Sequence, residues 1–174
     1  MNILKERKAI DTTLDIYRTH LDTISEDLFT ETPPGGGWSY AEVYSHILQA
    51  TMAAAIGLER CKQRDGDAKG INLMGRMVML FGRFPPVKLR VPESVAAKMP
   101  VSKISKEEAK NLIIKCRKRM DELFPVVKNS VPGSIGKHPR LGMLNAPQWF
   151  KFIRIHLQHH LKQLTRIKNK FHNA

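Results

Sequence analysis

The stretch Asn145-Ala-Pro-Gln-Trp-Phe-Lys-Phe-Ile-Arg-Ile-His156-Leu-Gln-His159-His160-Leu-Lys-Gln163-Leu-Thr-Arg-Ile-Lys168 decides the fold. Asn145 is a good N-cap, and Pro147 suits a first helical turn, where no amide hydrogen is required. Lys162, Arg166 and Lys168 place cations toward the C-terminal end, where the helix dipole favours them. At 100° per residue with His156 at zero, Trp149, Phe150, Ile153, Leu157, Leu161, Leu164 and Ile167 fall between about 20° and 140°. That is one apolar stripe, and it requires other helices to cover it. His160, at about 40°, lies inside the stripe, and His156 lies on its edge. His159, near −60°, is a rim residue, and Gln163, near −20°, sits beside the inward pair.

Three further segments supply the cover. Ser105-Lys-Glu-Glu108 has the capping-box form and opens a helix to about Lys128, with Pro125 as a point of disturbance. Ser39-Tyr-Ala-Glu42 has the same form after the breaker Pro33-Pro34-Gly35-Gly36-Gly37, and opens a helix to about Arg64. Ile10, Leu14, Ile16, Tyr17, Leu21 and Ile24 mark a first helix over about Leu4–Leu28. Val131–Leu144, rich in Gly and Pro, reads as an ordered loop. Asp65–Pro100 is a long connection that contains a Met-rich apolar patch, Ile71–Phe84. The patch reads as a short helix over one end or side of the others, either a pocket lid or a contact between copies. No strand-like alternation of useful length and no repeat is visible. The expectation is an all-α single domain over residues 1–174, a four-helix bundle with a long crossover between helices 2 and 3.

Composition narrows the functions. The chain has 174 residues and a formal charge of +13, much of it in Lys103–Arg119 and in Lys162, Arg166, Lys168 and Lys170. Such charge attracts anions, nucleic acid or anionic membranes, but it is also what a solvated helix face carries. Cys61 and Cys116 have no C-x-x-C spacing and read as reduced thiols. No signal peptide or membrane-spanning stretch is apparent, so a cytoplasmic protein is expected.

The histidines point to chemistry. Two imidazoles four residues apart on a helix project from nearly the same side. His46 lies beside Val43, Ala50, Ala53 and Ala54, small neighbours that leave space for a ligand cavity or for close packing. A third imidazole from a facing helix would complete a three-ligand site with an open position. Three neutral imidazoles favour zinc, nickel or iron(II) over calcium or magnesium. The plain alternative is a set of satisfied core histidines, and that reading suffices for the isolated His20, His138 and His172. No H-E-x-x-H glutamate is present, which argues against a zincin-type protease.

Two motifs carry a resemblance. Gly37-Trp38-Ser39-Tyr40-Ala41-Glu42-Val43-Tyr44-Ser45-His46 resembles the W-[ST]-x-x-E-x-x-x-H entry to the second helix of the DinB/YfiT-like superfamily. His156-Leu-Gln-His159-His160-Leu-Lys-Gln163 resembles that superfamily's H-x-x-x-H-x-x-Q in its last helix. His138-Pro139-Arg140-Leu141-Gly142-Met143-Leu144, continuing through Gln148-Trp149, is similar to one branch of it. The resemblance implies an antiparallel four-helix bundle, often a homodimer, with a metal triad at His46, His156 and His160. It also implies metal-dependent enzymes, among them S-transferases and isomerases that use a low-molecular-weight thiol.

The leading expectation is a metal-dependent enzyme, either a hydrolase acting through metal-bound water or a transferase acting through metal-bound thiolate. His46, His156 and His160 would hold the ion, Gln163 would orient a ligand, and His159 would exchange protons at the mouth. The competing expectations are a non-catalytic bundle and a basic module in which Lys115, Arg117, Lys118 and Arg119 contact phosphates. No nucleic-acid motif or aromatic stacking platform supports the last, so nucleic acid is not an expected partner.

Overall fold

A computed structural model describes residues 1–63, 70–85 and 100–173. Its elements are α1 (Ile3–Asp22), α2 (Glu26–Thr30), α3 (Tyr40–Glu59), β1 (Lys62–Gln63), α4 (Leu73–Phe81), α5 (Lys106–Lys128), β2 (Ser134–His138), β3 (Gly142–Asn145) and α6 (Ala146–His172). The long helices α1, α3, α5 and α6 form a four-helix bundle. α1 and α3 each pack against both α5 and α6, so chain order is not spatial order.

Cross-contacts give the directions. Arg7 pairs with Asp121 and Lys110 with Asp22, so α1 and α5 are antiparallel. Lys170 Nζ donates to Gly36 O near the start of α3, and Trp149 packs on Gly57 near its end, so α3 and α6 are also antiparallel. The long connection from α3 to α5 therefore returns the chain to the end where α3 began. The parts of that connection at 64–69 and 86–99 lie outside the described residues; the second helix, expected to reach about Arg64, ends earlier, at Glu59, where Arg60 caps it and Lys62–Gln63 turns into β1.

Local chemistry sets the helix starts. Ser39 with Glu42 and Ser105 with Glu108 form complete capping boxes, and Asn145 with Gln148 forms a third. Pro125 does not interrupt α5. It costs the helix one N–H donor, but only one turn follows it, so a kink there has little helix left to redirect. The first expected helix does break. Thr23 ends α1 with its hydroxyl on His20 O, and Ser25 caps α2 through Leu28 N. Two hydroxyls competing for backbone groups explain the interruption.

The bundle is joined by a small sheet that the loop reading of Val131–Leu144 did not contain. β2 and β3 form an antiparallel hairpin, with Ile135 opposite Asn145 and His138 opposite Gly142, and β1 adds to its other edge. The hairpin closes the end of the bundle where α3 and α5 finish and α6 begins. Residues 70–72 are strapped to it by Asn72 N to Leu141 O (2.9 Å) and Asn72 Nδ2 to Arg140 O (2.8 Å). The core is one contiguous apolar cluster that runs from Ile10 on α1 to Ile167 on α6. No described helix is long and apolar enough to cross a membrane.

Candidate metal centre

The antiparallel contact of α3 and α6 positions the histidines. The capping box at Ser39 and Glu42 fixes the start of α3 and places His46 two turns in, facing α6. There it meets His156 and His160. The ligand-capable atoms of these three residues all lie within 4.8 Å of one another, and they are the one such cluster found among the described residues. The His156 and His160 Nε2 atoms are 3.1 Å apart. Two nitrogens on one tetrahedral ion, each about 2.0–2.1 Å from it, stand roughly 3.3 Å apart, so this pair has ligand spacing. The donor set also fits. His160 Nδ1 lies 2.8 Å from Gln163 Oε1, and a proton on Nδ1 leaves the Nε2 lone pair free to bind.

The electrostatics keep the imidazoles neutral. Burial depresses all three below the ordinary histidine value. At His156 the neighbours His160, His46, His159 and His138 add to this, and at His46 the neighbour His159 does. His160 is lowered to about 3 by burial and then by His46, His159 and Arg166, against an opposing contribution from its bond to Gln163. Neutral imidazole is the form that binds a metal.

His160 is buried, whereas His46, His156 and His159 keep partial exposure. His159 stands outside the cluster of three, its ring 5.1 Å from that of His160. On α3, Ala50 and Ala53 follow His46 by four and seven residues on the same side of the helix, and Ala53 is exposed. Aromatic walls complete the surroundings. The Trp38 ring lies 5.0 Å from His46, and Phe152 stacks on His156 at 5.3 Å. Phe84 stands 5.1 Å from His159 and 5.9 Å from His156.

Sequence reasoning missed Phe84 as part of this site. Gly82 ends α4 in the left-handed conformation (φ +62°) and redirects the chain toward α6, a consequence that periodicity does not reveal. The Met-rich patch itself forms α4, which packs on α6 and leaves Leu73, Leu80 and Phe81 exposed. His20 bonds the Tyr44 hydroxyl at 3.2 Å. His138 accepts from Arg140 N and Leu141 N, each at 3.1 Å, and packs on Trp149 and Phe152. Both are partnered structural residues, and His172 is exposed.

The basic run on α5 is less available than its sequence suggests. Arg117 pairs with Asp15 and Asp11, and Arg119 with Glu59 and Glu122. Two of the four cations proposed to contact phosphates are thus already engaged by carboxylates.

The model of the DinB superfamily matches residues 9–164. The chain belongs to the DinB superfamily. Two solved structures share its fold. YfiT from Bacillus subtilis, described as a probable metal-dependent hydrolase with an unusual four-helix bundle topology, is 10% identical with a TM-score of 0.65, over 96% of this chain and 86% of that one. TT2238, a four-helix bundle protein, is 19% identical with a TM-score of 0.57, over 94% of this chain and 96% of that one. A search of curated protein sequences found no match.

Proposed function

We propose that this DinB-superfamily protein is a metal-dependent hydrolase in which His46, His156 and His160 hold one divalent transition-metal ion. The observation that carries the reading is the convergence of three neutral imidazoles from two helices, with two Nε2 atoms at ligand spacing. Such an ion supplies Lewis acidity and makes a bound water or thiol more acidic. Gln163 holds the tautomer and orientation of His160. His159, partly exposed and next to His160, would pass protons between substrate and solvent. Trp38 and Phe84 flank the opening and limit the access of bulk water.

A second reading, transfer to a low-molecular-weight thiol, has one specific support. No described residue from 123 to 173 is a carboxylate, so the α6 side of the site offers no acidic general base, and thiol activation at a metal depends less on one.

Elemental analysis of untagged protein, purified without chelating resin, tests the site. Near-stoichiometric zinc, nickel or iron is expected. It should be lost in His160→Ala while far-ultraviolet circular dichroism stays unchanged. Full metal content in that variant refutes the assignment. Turnover that needs added thiol selects the second reading over hydrolysis.

A further inference from the structure

The charge around this site is one-sided. Residues 123–174 contain nine Lys and Arg and no Asp or Glu. Every described salt bridge involves α1 or α5, and the only α6 cation among them is Arg154, held by Glu6. Lys170 is also engaged, on Gly36 O. Lys162 and Arg166 have no carboxylate partner among the described residues, and both are exposed.

Their position is specific. On α6, Lys162 follows His159 by three residues and Arg166 by seven, so all three share one face of the helix. Arg166 Nε donates to Lys162 O at 3.2 Å, which lays its guanidinium back along that face toward His159. On α3, the two carboxylates are Glu42, bound back to Ser39, and Glu59, which pairs with Arg119. A site that holds a dication and is flanked by two unneutralised cations, with no described carboxylate to offset them, creates a positive potential at its mouth.

We propose that the substrate carries an anionic group, a carboxylate, phosphate or sulfonate, beside the atom that reaches the metal, and that Lys162 and Arg166 receive it. Arg166 offers the forked donors that suit such oxyanions, and Lys162 adds a mobile point charge. The aromatic walls at Trp38 and Phe84 then fit a short apolar spacer between the anion and the reacting atom. This inference rests on the metal reading above.

The test uses cobalt(II)-loaded full-length protein and two thiols that share an ethane spacer, anionic 2-mercaptoethanesulfonate and neutral 2-mercaptoethanol. Sulfur binds a transition metal tightly, so cobalt absorption reports binding of both probes without any turnover. The sulfonate should bind at least about tenfold more tightly than the alcohol, with the preference shrinking as salt is added. In Lys162→Ala/Arg166→Ala the ratio should fall to about one, while cobalt content and mercaptoethanol affinity are retained. Equal affinities in fully loaded wild-type protein, or a preference that survives the double substitution, overturn the inference alone. Failure of the wild-type protein to take up cobalt overturns the metal reading and this inference with it.

Discussion

The α3–α6 interface has two halves built on opposite terms. At the sheet end, Trp149 lies against Gly57 so closely that a Cβ on that glycine would stand 2.7 Å from the indole. Gly136 of the hairpin is equally tight, with its Cβ position 2.9 Å from Gly57 O. Two to three turns along the same helices, His46 faces His156 and His160. The first half excludes everything but its own atoms. The second gathers imidazole nitrogens between the helices, which costs desolvation that a bound ion would offset. One helix pair can carry an expensive polar cluster because its other half is packed without space to lose.

The sharpest way to break that contrast is at the packed half. Trp149→Ala removes a buried indole from between two glycines that cannot move in to replace it. A loss of about 3–5 kcal/mol is expected in urea unfolding, the usual range for deleting a buried aromatic. The histidine half should respond to its ligand instead. With free metal at 100 times its dissociation constant, wild-type protein should gain about 2.7 kcal/mol by mass action, and His156→Ala should gain none. Equal stabilisation of both proteins by the same metal would show that the ion binds elsewhere.

The two halves also differed in how far they could be read from sequence. The histidine half was legible because its signals are local. A capping box at Ser39 sets the phase of His46, and the 100° repeat separates His156 and His160 from His159. The packed half depends on pairings that leave little periodic trace. Ser134–His138 and Gly142–Asn145, at five and four residues, are too short to show alternation, and they are strands because they pair with each other and lie over Trp149. Phe84 reaches the imidazoles only because Gly82 turns the chain, and the break at Thr23–Ser25 is a contest of side-chain hydroxyls. Each is a tertiary or capping effect, decided by neighbours distant in sequence or by one backbone angle.

The smallest effect sharpens the contrast by using the packed half's own imidazole. His138 Nδ1 accepts two backbone N–H bonds, from Arg140 and Leu141, so the folded protein satisfies it without a ligand. A proton can be added only at Nδ1, at the expense of both bonds. Burial, and then Arg140, lower its value to about 4, against roughly 6.5 in the unfolded chain. The unfolded state therefore binds the proton first as pH falls. The contribution of His138 is complete above pH about 6.5 and is lost progressively down to about 4, at no more than about 1.4 kcal/mol per pH unit. His138→Asn keeps an acceptor near the same two amides and removes the titration. With chelator present, urea unfolding of the two proteins at pH 7, 6 and 5 should show wild-type stability falling faster, because only the wild type carries the His138 titration. Parallel curves would mean that the hairpin does not hold this imidazole neutral, and the satisfied histidine of the packed half would then be no different in kind from the cluster beside it.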